Sequence, residues 1–160
     1  MVAVAIGLTV AGCGGSNPRA SGLGRFLVAQ GEEPGFSLGK ATVSATQARE
    51  TTNGSEGLQG ASGVIVLGSV AGAEAKLRAL LRAPVGSGYS ARAFAVPGVP
   101  GAKGLLEDSP DDGDNAGVVW IQGRCVLLVG DLAVSGTAQT TPLVSAAQAV
   151  YKRTRGLSCP

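Results

Sequence analysis

The sequence contains no histidine. Ser-His-Asp and Cys-His catalysis and histidine metal sites are therefore impossible within this chain, which removes many hydrolases together. Aromatic residues are scarce, at 4%, so a core has to be assembled from Val, Leu, Ala and Ile. Charge is nearly balanced at +2. Binding to a phosphate backbone needs a concentrated basic face, so no nucleic acid partner is expected. The three cysteines form no CxxC pair, which argues against a zinc ribbon or a dithiol redox centre. No metal site and no cofactor is expected.

What is abundant is glycine, with 26 residues in a chain of 160, which predicts many turns and loops. The opening stretch "MVAVAIGLTVAGC" carries no charged side chain. It is too short to span a bilayer, which takes roughly 20 apolar residues, and reads as the hydrophobic part of a secretory signal running into small residues before a cysteine. Val10-Ala11-Gly12-Cys13 resembles a bacterial lipobox, in which the cysteine thiol receives a diacylglycerol and the leader is cut before it. The match departs in one place: no Lys or Arg precedes Cys13, which leaves open a start upstream of Met1. "GGSNPRASG" follows, a composition that cannot continue a strand and serves as a flexible tether. The expected organisation is a lipoprotein signal peptide over 1–12, a lipidated Cys13 with tether over 13–22, and a single domain over 23–160 of about 140 residues. The expected location is extracytoplasmic, anchored to the cell membrane through Cys13, with the membrane as the one defined partner.

Export makes pairing of Cys125 with Cys159 chemically available. The bridge would close a loop of about 35 residues, worth roughly 3–4 kcal/mol in the chain-entropy account.

Along the domain, "RFLVAQ" predicts a short helix, and "GEEPG" a turn that delivers Phe36 and Leu38 into the core. From Lys40 to Gly60 the apolar periodicity is poor, so this region reads as loop or as a weak helix from Ser44 to Glu50. The β-branched run Val64-Ile65-Val66-Leu67 between glycines predicts a buried strand. "AGAEAKLRALLR" predicts a helix with Ala73, Leu77, Leu80 and Leu81 on one face. "YSARAFAVPG" alternates as a strand and "AKGLLE" as a short one. Val118–Ile121 and Cys125–Val129 flank Gln122-Gly123-Arg124 as a hairpin with Trp120 in its core. In "TTPLVSAAQAVYKRTRG", Thr140 or Thr141 is the expected cap, Pro142 the first helical residue, and Leu143, Ala146, Ala147, Val150 and Tyr151 the apolar stripe. Strands interleaved with helices predict an α+β domain: an antiparallel sheet with a hairpin and two to three helices packed on one face.

The succession "EEPGF", "SGVIVLGSVAGAEAKL", "VPGVPGAKG", "GVVWIQGRCVLLV" and "AAQAVYKRTRG" resembles small exported lipoproteins of actinobacteria and related high-GC bacteria. Its layout is more distantly similar to the extracellular sensor domains of mycobacterial receptor kinases. The resemblance implies an envelope-exposed helix-and-sheet module and brings no catalytic residues.

Several patterns imitate chemistry. "GFSLGKAT" has three residues between its glycines and Ala41 after the lysine, whereas a phosphate loop needs four and a hydroxyl. "DSPDDGD" over 108–114 has the oxygens calcium prefers but not the spacing: with Gly113 at the sixth position, Pro110 falls at the third. Lys152, Arg153 and Arg155 could face anionic lipid, although compensation of the helix end explains them more simply. What remains is a binding or sensing module for a small ligand or an envelope protein. The alternatives are an accessory that docks through an edge strand or the acidic loop, and a hydrolase built on carboxylates alone, using a pair drawn from Glu32, Glu33 and Asp131.

Overall fold

The computed structural model of the chain describes residues 22–55, 57–82, 90–108, 113–133 and 138–160. The expected signal peptide 1–12 and the lipidated Cys13 lie outside them, as do residues 109–112 of the acidic loop.

A 3-10 turn, Gly22–Phe26, opens the described chain. Three strands follow: β1 (Ser37–Val43), β2 (Gln47–Asn53) and β3 (Leu58–Val66). After helix α1 (Val70–Leu81) come β4 (Ser90–Phe94), β5 (Lys103–Asp108), β6 (Asn115–Gln122) and β7 (Cys125–Ala133), then helix α2 (Thr140–Thr154). The strands make one seven-stranded antiparallel sheet in the order β1-β2-β3-β7-β6-β5-β4. Two meanders, β1 to β3 and β4 to β7, meet where β3 pairs with β7. The α+β architecture and the β6–β7 hairpin thus agree with the pattern of the sequence.

The helices are not on one face, as expected, but on opposite faces. Along β6 and β7, Val118, Trp120, Leu127 and Val129 pack with Leu143, Ala146, Ala147 and Val150 of α2. The alternate residues Val119, Ile121, Val126 and Leu128 pack with Ala73, Leu77, Leu80 and Leu81 of α1. A strand with two apolar faces needs cover on both, and the continuous apolar runs of β6 and β7 have that character. Burying Leu143 and Val150 contributes about 1.5–3 kcal/mol each. The 3-10 turn and the chain after it, Leu23, Phe26, Leu27 and Val28, join α2 on its face.

Two local expectations are corrected. Most of the described residues from Lys40 to Gly60 are strand, not helix or loop: the end of β1, all of β2 and the start of β3. Ser44 closes the hairpin, its Oγ donating to the Gln47 carbonyl at 3.0 Å. Helix α2 starts at Thr140, with Gln139 as a cap that makes no side-chain hydrogen bond. Pro142 still sits in the first turn, where its missing N–H has no intrahelical acceptor to lose. Helix α1 is capped conventionally, Ser69 Oγ accepting from Gly72 N at 3.0 Å.

Candidate functional site

The sheet brings together a row of residues facing α2: Thr52 of β2 opposite Gly60 of β3, and Gly60 opposite Asp131 of β7. Two residues along, Glu50 stands opposite Ser62. Thr52, Ser62, Glu50 and Asp131 are all buried. Over this row lies the turn of "GEEPG", shaped by Gly31 and Gly35 at φ 83 and 87, values that L side chains rarely adopt. The turn divides its two glutamates. Glu32 turns away from the row and is half-buried, its carboxylate meeting the Arg153 guanidinium, Nε to Oε1 2.7 Å and Nη2 to Oε2 2.8 Å. Glu33 points down to the row and is 3% exposed, as is Asp131.

Glu33 and Asp131 form a buried acid pair. None of their four carboxyl oxygens, nor Thr52 Oγ1, has a partner in good hydrogen-bond geometry among the described residues. Two carboxylates offer only acceptors to one another, so the contact becomes a hydrogen bond when one of them carries a proton. Burial raises the pKa of Glu33, as does the charge of Glu50, against the lowering influence of Thr52 and Asp131 beside it. Burial likewise pushes Asp131 up, to about 8, with the charge of Glu33 and the contact between the two carboxyls adding to it. The two titrate as a unit, and near neutrality the pair retains a proton. Gly60 makes room for it: a Cβ there would fall 2.6 Å from Asp131 Oδ1 and closer still to Thr52 Oγ1.

Three carboxylates do not converge on one point: no group of three or more His, Cys, Asp or Glu able to hold a metal ion occurs among the described residues. Two buried carboxyls in contact, without a cationic partner among the described residues, are suited to holding a proton between them.

Of the residues singled out in the sequence, Glu33 and Asp131 meet, while Glu32 is drawn away by Arg153. Cys125 and Cys159 stand at disulfide distance, Cα to Cα 5.8 Å, tying the start of β7 to the C-terminal residues. The same end is held by Gln122, whose Nε2 donates to the Thr154 carbonyl and whose Oε1 accepts from Thr154 Oγ1 at 3.0 Å. Trp120 is fully buried in the core. Asp108, at the start of the acidic loop, faces Arg92 at 3.4 Å. Lys152 and Arg155 are exposed, but Arg153 is not a free basic group: it also donates to the carbonyls of Arg25 and Leu27.

Glu50, Thr52 and Gly60 escaped the sequence reading. The signal was present in "QARETTN", where Ala48, Glu50 and Thr52 occupy alternate, inward positions, but two of the three are polar.

A hollow of about 270 Å³ opens beside the edge strand β4, lined by Arg92, Ala93, Phe94, Leu106, Ala138 and Thr140. No protein-family model matches the chain, nor does any curated protein or any solved structure.

Proposed function

We propose that the chain is an envelope lipoprotein, fixed to the cell membrane through lipidated Cys13, whose domain is a non-catalytic binding or sensing module. The anchor rests on the order of apolar leader, small pair, cysteine and tether, and on the likeness of the chain to exported lipoproteins. A pairing of Cys125 with Cys159 suits an oxidising compartment. The observation that carries the module is the placing of the acids. Glu33 and Asp131 lie beneath a turn, 3% exposed, where a substrate bond has no approach, whereas glycosidase chemistry needs two carboxyls flanking a bound substrate. The hollow beside β4 faces solvent, with apolar Phe94 and Leu106, a cation in Arg92 and a hydroxyl in Thr140. That mixture, with Arg92 already paired to Asp108 at 3.4 Å, fits a small ligand with an apolar body and a polar end.

A second reading, an accessory that captures an extended partner segment, is favoured by β4 itself. It ends the sheet, and Ser90 to Ala93 are exposed, the condition for addition of a strand.

Detergent partitioning and intact mass of the full chain, made in a bacterium that processes lipoproteins and with any upstream n-region restored, test the anchor. Wild type goes to detergent with the mass of an acylated Cys13, and Cys13→Ser goes to water. If both partition to water the anchor is refuted, and if both go to detergent the uncleaved leader is holding them. Native mass spectrometry of gently purified protein tests the module. A co-purifying small molecule lost on Ala93→Trp, which fills the hollow, supports it; a captured polypeptide favours the accessory.

A further inference from the structure

Residues 22–36 are the part of the domain nearest the tether, and three kinds of contact hold them to the sheet. Leu23, Phe26, Leu27 and Val28 are buried in the core. Val28 N donates to Ser62 Oγ at 3.1 Å. Arg153 of α2 grips Glu32 and the carbonyls of Arg25 and Leu27. The fourth contact, Glu33 against Asp131, is different in kind. With a proton between them, one carboxyl donates and the other accepts. Without it, two anions face each other in a poorly screened interior, where repulsion is far stronger than in water.

The surroundings offer little to relieve that repulsion. From β2 come Glu50, a further acid, and Thr52; from β3 come Gly60 and Ser62, without charge. From β7 comes Asp131 itself. From the turn comes Glu32, and from α2 Arg153, which is committed to Glu32. Neither Glu33 nor Asp131 has a cationic partner among the described residues. The stretch that would have to move is bracketed by Gly31 and Gly35.

We propose that the Glu33–Asp131 contact is a proton-held latch: while a proton is shared the turn stays docked on the sheet, and when it is lost the turn carrying Glu33 lifts away. The apolar contacts of Leu23, Phe26 and Leu27, with the Arg153 bonds to the carbonyls of Arg25 and Leu27, then remain as the hold on the chain before the turn. The latch couples proton concentration to the docking of this turn on the sheet. It goes beyond the binding reading and stands whether or not Cys13 is acylated. Asp131, pushed up to about 8, places the release in mildly alkaline solution.

Hydrogen exchange of the full chain at pH 6.5 and pH 9, corrected for the intrinsic rise of exchange with pH, tests the latch. Protection of residues 31–36 in wild type should fall at least tenfold between the two, while residues 27 and 28 and the β6–β7 hairpin keep their protection. In Asp131→Asn the amide donates to Glu33 at either pH, so protection of the segment should not change. Glu33→Gln, which places the amide on the turn instead, should behave alike and serves if the first variant does not fold. Equal protection of wild-type 31–36 at both pH values overturns the proposal. So does a loss in the folded variants as large as in wild type, a simultaneous loss in the hairpin, or restoration of protection at pH 9 by millimolar calcium, which would make the pair a cation site.

Discussion

Arg153 and Glu32, 121 residues apart in sequence, meet in a two-pronged ion pair with Nε to Oε1 2.7 Å. The pair joins the last turn of α2 to the turn that bears Glu33, and the adjacent glutamates therefore do opposite work: Glu32 holds the turn from outside, while Glu33 enters the core. Ala29 N donates to the Glu32 carboxylate as well, at 2.7 Å, which gives the acceptor a local anchor beside the arginine.

Arg153→Ala should lower stability by about 1–2 kcal/mol, since a partly exposed ion pair contributes little by itself but three acceptors lose their donor. Arg153→Lys should recover less than half, because an ammonium cannot reproduce the planar fork. Urea denaturation of both variants measures this.

Gly60→Ala should cost more than about 2 kcal/mol, or shift the strands, because the new methyl collides with Thr52 and Asp131. Gly68→Ala meets nothing within 4 Å and should change stability by less than about 0.5 kcal/mol. Comparing the two by thermal melting separates crowding at the acid pair from the general effect of losing a glycine.

Thiol counting on unreduced, denatured protein should find neither Cys125 nor Cys159 free. Reduction should cost roughly 3–4 kcal/mol, the scale for a loop of this length. Two reactive thiols would mean that the pair is held reduced.

Stability should fall as pH rises. The Asp131 carboxyl has an ordinary value of 3.8 and is pushed to about 8 when folded, so in between the folded chain holds a proton that the unfolded chain has released. Each pH unit in the steep part of that window removes roughly 1.4 kcal/mol. The pair's contribution is complete below about pH 4 and gone above about pH 8, where the decline levels off. Urea midpoints from pH 5 to 9 should show this slope in wild type and a flatter one in Asp131→Asn.

How much of this was legible in the sequence depended on which residues faced inward. The β6–β7 hairpin was plain because both faces of "GVVWI" and "CVLLV" are apolar. Helix α1 was plain because Ala73, Leu77, Leu80 and Leu81 share a face. Strand β2 was hidden for the reason that makes it of interest: its inward positions include Glu50 and Thr52, so the alternation that marks a half-buried strand is written in polar residues. The opposite placing of α1 and α2 was also hidden, since a doubly apolar strand records that both faces are covered but not by which helix. Glu33 and Asp131 were among the candidate carboxylates, yet nothing in their spacing of nearly a hundred residues indicated that the sheet would set them together and leave Glu32 outside.

The latch requires a proton held between Glu33 and Asp131, and the side-chain carboxyl carbons of the two report it directly. A carbon-13 titration of the labelled protein should show both resonances changing together, with the last proton leaving at mildly alkaline pH, near 8, and none of this coupling in Asp131→Asn. Independent midpoints for the two acids close to 4 would contradict a shared proton, since they would mean that both carboxyls ionise freely where they stand.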